Sequence, residues 1–266
     1  MRKILFIFFF LKCVFVGAQD VRFPDIPADM SNPSKRSIYL AEHYWECNNI
    51  GDTLLLHHST VVYDYVYILS KVPFDDARRL MTNTAKLAVR HPETYSYTEY
   101  WLEHYLHDAL SRFYNDELFI PFLETVISSD IDEVFKLRPK FLLDRCKMNR
   151  VGEMAADFIL KKDGDVSCRL SELYADYILL WFYQKGCDSC VESSQYLKGK
   201  QESQSLIKNR SVILVPLDLD VYSSLRGTSY ELQYSPTFYV LDSNHRVLLK
   251  EASLERLDAF VEDINN

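Results

Sequence analysis

The chain has 266 residues, with 30 Lys+Arg against 38 Asp+Glu and a formal net charge of −8. Hydrophobic residues make up 48% and aromatics 14%, enough to fill real cores, so wholesale disorder is excluded. An acidic chain without a basic run is a poor counter-ion for phosphate, which argues against nucleic acid as a partner, and only 7 glycines argue against collagenous, Gly-rich or tight-turn all-β architectures.

Met1–Ala18 reads MRKILFIFFFLKCVFVGA, with Arg2 and Lys3 ahead of the apolar run Ile4–Leu11. Lys12 breaks that run well short of the ~20 apolar residues of a membrane span. Val16-Gly17-Ala18 supplies small residues at a cleavage position, so residues 1–18 are expected to be a signal peptide cut before Gln19. An N-terminal anchor helix is the alternative; a lipoprotein through Cys13 is disfavoured by Lys12. Removing the three bases of this segment leaves 27 bases against 38 acids, a net charge of −11. No later segment reaches spanning length, so the mature protein is expected to be soluble, exported and, in a Gram-negative cell, periplasmic.

Residues 19–150 are expected to form a helical domain. Asn32-Pro33 reads as a cap and first helical position, followed by the stripe Ile38, Leu40, Ala41, Tyr44 and Trp45. Ser59 or Thr60 is expected to cap a second helix, and further helices are predicted near 74–90, 94–114, 117–128 and 131–148. Pro73, Pro92 and Pro139 punctuate this half, and His57-His58 reads as a loop. The aromatics Tyr95, Tyr97, Tyr100, Trp101, Tyr105, Phe113 and Tyr114 are expected to be mainly core. His104 and His107, spaced i, i+3, read as a solvated helical face rather than a metal site, since no H-E-x-x-H spacing is met.

Residues 151–266 change rhythm and are expected to form an α/β domain with a mixed sheet. Tyr177–Tyr183 (YILLWFY) and Val212–Leu217 (VILVPL) read as strands, with Pro216 demoting the second to an edge or exit. Thr237–Leu241 and Arg246–Lys250 follow, joined by a hairpin turn at 242–245. Helices are predicted at about 188–207 and 253–264, and the acidic run Glu251–Asp263 reads as a helix face. Asn209-Arg210-Ser211 is a glycosylation sequon without evident meaning in a bacterial protein.

The mature chain keeps Cys47, Cys146, Cys168, Cys187 and Cys190, an odd number that cannot all pair within one molecule. Cys47, Cys146 and Cys168 are expected to be small buried groups, with a Cys47–Cys146 bridge left open. Cys187 and Cys190 form a C-x-x-C directly after a predicted strand, at the start of a helix. There the helix dipole and unpaired N–H groups favour a thiolate at Cys187, with Cys190 within disulfide reach. One sulfur can attack a disulfide and the other resolve the mixed intermediate. Half of a zinc site or a plain disulfide is the competing reading, but zinc would want a second ligand pair, and this half holds only His245. Ser235-Pro236 before the third strand suits a cis bend facing the cysteines, leaving Ser235 to pair with an extended peptide.

The second half resembles the thioredoxin fold, in its extracytoplasmic thiol–disulfide oxidoreductase branch of the TlpA/ResA type. The resemblance rests on Gly152, Ala156-Asp157-Phe158, the Asp163-Gly164-Asp165 turn, LLWFYQKGCDSC (179–190) and SPTFYVLD (235–242). FPDIP (23–27), YLAEHYWE (39–46), LFIPFLETVI (118–127) and the following MNRVG are similar to an uncharacterised helical domain found ahead of such thioredoxin domains. The resemblance implies Cys187 as nucleophile, Cys190 as resolving cysteine and Pro236 as the cis proline, with Ser235 and Thr237 beside it along a bound substrate. It implies protein thiols or disulfides as partners, a separate electron donor, and no cofactor, since no nucleotide-binding Gly motif is present. Trp181 stands where thioredoxin has a buried Asp, Gly186 replaces the usual Trp, and Asp188-Ser189 replaces Gly-Pro. Asp188 opposes a neighbouring thiolate, and Lys185 is expected to pull the other way. The alternative function is a binding module in which the helical half does the work and the C-x-x-C is an inert disulfide.

Overall fold

Asn32 begins the first helix by accepting a hydrogen bond from Lys35 N at 3.1 Å, and Pro33 follows where no intrahelical bond is lost. The computed structural model describes residues 21–162, 165–202 and 206–265. The expected signal peptide with Cys13, its cleavage site at Gln19, and Asp163-Gly164 of the expected turn lie outside the described residues.

The first half is helical: α1 (Pro33–Cys47), α2 (Thr53–His57), α3 (Thr60–Leu69), α4 (Phe74–Ala88), α5 (Pro92–Leu106), α6 (Asp116–Ser128) and α7 (Glu133–Cys146). The short helix α2 replaces part of the expected loop. Asp52 caps it by accepting from Leu54 N and Leu55 N, and the burial of Leu55 and Leu56 holds it. The helix expected to run to 114 stops at Leu106, because Asp108 and Ser111 side chains take up the N–H groups of Leu110 and Phe113. The chain then folds back so that Asn115 N donates to Leu106 O at 2.8 Å. Pro139 does not end a helix; it lies buried inside α7, where packing offsets the lost backbone bond. Of the aromatics expected in the core, Tyr95 is fully buried beside Tyr44, Tyr65, Phe119 and Phe122, Tyr97, Trp101, Tyr105 and Phe113 pack partly buried against that core, and Tyr100 is exposed.

The second half begins with an antiparallel hairpin, β1 (Ile159–Lys162) and β2 (Asp165–Arg169). A four-stranded sheet follows, built from β3 (Tyr177–Tyr183), β4 (Val212–Asp218), β5 (Thr237–Asp242) and β6 (Val247–Ala252) in the order β4-β3-β5-β6. β3 runs parallel to β4 and antiparallel to β5, which pairs antiparallel with β6. The edge position of β4 is what Pro216 requires. Alternation along β3 sends Ile178, Leu180 and Phe182 to one core with Tyr230 and Tyr239, and Leu179 to the other. The second core lies under helices α8 (Asp188–Glu202) and α9 (Leu254–Asn265), through Leu197, Leu257 and Val261. Among the described residues no helix is long and apolar enough to cross a membrane.

Candidate active site

Buried β3 ends at Tyr183, and Gln184-Lys185-Gly186 turns the chain outward. Gly186 has φ +77°, the left-handed region that a side chain would strain. Cys187 then caps α8: its carbonyl accepts from Val191 N at 3.2 Å, and its Sγ lies 3.2 Å from Cys190 N. The sulfur therefore sits where a helix presents free N–H groups, which favours a negative charge on it. Cys187 is half-buried, whereas Cys190 is only 4% exposed. The two are joined in a disulfide with their Cα atoms 5.2 Å apart.

The register of β5 completes the corner. Thr237 pairs with Phe182, so the start of β5 lies beside the end of β3. The Ser235–Pro236 bond just before it is cis. Ser235 O lies 3.6 Å from Cys187 Sγ, and Ser235 Oγ lies 3.3 Å from Cys190 Sγ. The fold thus gathers Cys187, Cys190, Ser235 and Pro236 at one corner. Thr237 is buried inside the sheet and reaches that corner through its backbone neighbours.

The charges nearby differ from expectation. Lys185 Nζ is bound to Asp218 Oδ2 at 2.8 Å, at the end of the neighbouring strand β4. That pair holds the Asp218 carboxyl below its ordinary range and keeps the ammonium engaged. Lys185 therefore does not act as an unpaired counterweight to Asp188. Trp181 stacks on Tyr183 with ring centroids 4.7 Å apart, and its buried indole N–H has no hydrogen-bond partner among the described residues.

A second polar cluster, not anticipated from sequence, joins the two halves. Lys250 on β6 is 2% exposed and donates to Asp116 Oδ2 at 2.7 Å and to Cys146 O at 2.9 Å. Asp116 Oδ1 lies 2.7 Å from His107 Nδ1, and Cys146 Sγ lies 3.5 Å from each. His107 is thus buried against the Asp116 carboxylate rather than placed on a solvated face. Burial alone would raise the Asp116 carboxyl, but Lys250 and His107 hold it below its ordinary value. Burial alone would lower His107, but Asp116 raises it. The Cys146 thiol is pushed up by burial and by Asp116. Histidine, carboxylate and thiol here resemble a metal donor set, yet the Lys250 ammonium already supplies the positive charge.

Around this cluster, Arg145 pairs with Glu231 at 3.2 Å. Gln233 Nε2 donates to His107 O at 2.9 Å, and its Oε1 accepts from Ala109 N at 3.3 Å. Gly227, at φ +69°, leaves room for the Arg145 guanidinium, which a Cβ would meet at 2.7 Å. Glu251, expected on a helix face, lies on β6 instead, 0% exposed, accepting from Gln233 N at 3.2 and 3.3 Å. The loop 226–236 that ends at the cis proline is therefore bolted to the helical half. A sequence signal existed in VLLKEA, where adjacent charges interrupt an otherwise apolar strand. Among the remaining cysteines, Cys146 is buried as expected, but Cys47 is an exposed free thiol at the end of α1, so no Cys47–Cys146 bridge forms.

A mixed four-stranded sheet, a helix opening on C-x-x-C and a cis proline opposite it define a thioredoxin-like protein, here preceded by a helical region. Residues 13–149 match the family described as Domain of unknown function (DUF5106), and the chain belongs to that family. The chain is similar, at 27% identity and a TM-score of 0.79, to the crystal structure of a thioredoxin-like protein from Bacteroides caccae, covering 92% of this chain and 99% of that one. That similarity spans both halves. The C-terminal domain of an uncharacterized protein from Bacteroides fragilis overlaps 43% of this chain and 99% of its own, at 25% identity and a TM-score of 0.34. A thiol:disulfide interchange protein from Bacteroides sp. overlaps 45% of this chain and 93% of its own, at 15% identity and a TM-score of 0.33. No curated protein matches the chain.

Proposed function

We propose that the protein is an exported thiol–disulfide oxidoreductase that acts on protein disulfides through Cys187 and Cys190. One observation carries this reading: a half-buried sulfur at a helix N-terminus is bonded to a buried one, and both face Ser235 ahead of a cis proline. In the reduced form the Cys187 thiolate attacks one sulfur of a partner disulfide. The partner's S–S bond breaks, and its released thiolate takes a proton. Cys190, deprotonated in turn, attacks Cys187 in the mixed disulfide, and the second partner thiolate leaves and is protonated. The partner gains two electrons and two protons, and the chain ends as the Cys187–Cys190 disulfide. A separate dithiol donor returns it to the reduced form by the same exchange, so the direction of net flow is set by the relative potentials. Ser235 offers backbone to an extended partner segment, with Pro236 and Thr237 fixing its place.

The leader-like Met1–Ala18 supports export, with a periplasmic location in a Gram-negative cell. The test is a Cys190→Ser variant produced in the exporting cell. A mixed disulfide between Cys187 and partner proteins is expected, recovered from the envelope on a chain beginning at Gln19. A native disulfide that dithiothreitol does not reduce, together with an empty trap, overturns the redox reading in favour of an inert scaffold. A retained Met1 overturns cleavage of the leader, and a chain found only in the cytoplasm overturns export.

A further inference from the structure

A cavity of about 270 Å³ opens where α5, α7 and the loop before the cis proline meet. Its size admits one side chain. Tyr234 lines it and is bonded to Ser235, the residue in contact with both sulfurs. A segment laid along Ser235 therefore runs beside a residue that lines the cavity.

The lining fixes the chemistry. Its charged groups are already paired within the protein: Glu103 with Arg138 at 2.6 Å, His104 with Asp108 at 3.8 Å, Glu231 with Arg145 at 3.2 Å. Gln233 is committed to His107 and Ala109. Beside these polar groups the lining offers ring surface, with Tyr100 56%, Phe141 55% and Tyr234 40% exposed and the Arg145 guanidinium over the Phe141 ring at 5.1 Å. An incoming charge meets carboxylates that already face basic groups, while an apolar ring finds three others to pack against. The exposed face of α7 continues the surface outward through Leu137 and Val134, at helical spacing from Phe141.

We infer that this cavity is a substrate subsite, contributed jointly by the helical half and the cis-proline loop, for an aromatic side chain close to the reacting cysteine of a partner protein. The inference rests on the redox reading above and adds the substrate class. It also gives the helical half a part in recognition.

The experiment uses the full chain, reduced with dithiothreitol and desalted, in single turnover against short glutathionylated peptides. The residues flanking the peptide cysteine are varied among Phe, Gly, Lys and Asp, and oxidised glutathione serves as the flank-free disulfide. The Phe peptides are expected to react about tenfold faster than the Gly peptides, the size of preference a single apolar pocket gives, and Lys and Asp peptides no faster than Gly. Phe141→Ala is expected to erase the preference, read as the ratio of Phe-peptide to Gly-peptide rates, and Tyr100→Ala to reduce it. Equal rates for all flanks in the unaltered protein, or a preference that survives both substitutions, overturns the subsite alone. A chain that reduces none of the disulfides, oxidised glutathione included, overturns the redox reading and the subsite with it.

Discussion

At the dithiol corner, Cys187 caps a helix, half-open to solvent, with a backbone N–H directed at its sulfur. At the junction of the two halves, Cys146 lies sealed between a carboxylate and a histidine, and its thiol is pushed up by burial and by Asp116. Both are cysteines among polar groups, yet one environment favours the charged form and the other suppresses it. Position relative to a helix end and to solvent decides which sulfur is a reagent and which is filler. The two ion pairs divide the same way. Lys185–Asp218 joins an exposed lysine to a buried aspartate within one domain, whereas in Lys250–Asp116 both partners are buried and the lysine is fully hydrogen-bonded, so the second ties the two halves together.

The contrast is broken most directly by chemistry. After reduction, iodoacetamide at neutral pH is expected to label Cys187 and the exposed Cys47 in the folded protein, and Cys146 only after unfolding in urea, as read by mass spectrometry of the peptides. Labelling of Cys146 in the folded state would mean that the junction opens readily and is no clamp.

The difference between the two regions is also a difference in legibility. The dithiol corner is written in contiguous residues: YILLWFY, a Gly turn, C-x-x-C, and a proline before TFYVL each carry a local reason for their shape. Strand order then follows from parallel and antiparallel connection rules. The junction has no such local form. Asp116, Cys146 and Lys250 are far apart in the chain, and only the packing of β6 against the ends of α6 and α7 brings them together. Period and spacing therefore assign His107 to a solvated face and Glu251 to a helix, and tertiary burial overrides both. Lys185 fails for a related reason: its partner Asp218 sits on the adjacent strand, across a parallel pairing that brings Tyr183 beside it.

Removing one member of the buried pair sharpens the comparison in energetic terms. Lys250→Met leaves the Asp116 carboxylate buried without its ammonium and takes the lysine donor from the Cys146 carbonyl, while the Arg145 carbonyl keeps the Met148 N–H. A loss of about 3–5 kcal/mol is expected by urea unfolding. Adding Asp116→Asn is expected to restore part of it, since the unpaired charge then disappears. Lys185→Met, which removes a largely exposed ammonium from Asp218, is expected to shift the unfolding curve much less. Equal effects at the two sites would show that burial is not what distinguishes them.

The smallest effect expected is a pH dependence at Glu251. Burial raises its carboxyl from the ordinary 4.5 to about 7, against the downward pull of the Gln233 N–H. The folded state therefore binds more protons than the unfolded one between those values, and stability falls as pH rises through that window. The groups facing Glu251 modulate this: Glu231 and Asp116 push the same way, Lys250 the other. His107, also raised, adds a loss at rising pH, whereas the lowered Asp116 adds one at falling pH, so the informative quantity is the difference between variant and parent. Glu251→Gln keeps an acceptor for Gln233 N but cannot ionise. The variant is expected to melt a few degrees above the parent at pH 8, with the gain vanishing toward pH 5. A difference that does not change with pH would place the Glu251 titration in the ordinary carboxyl range and remove the buried acid from the base of the cis-proline loop.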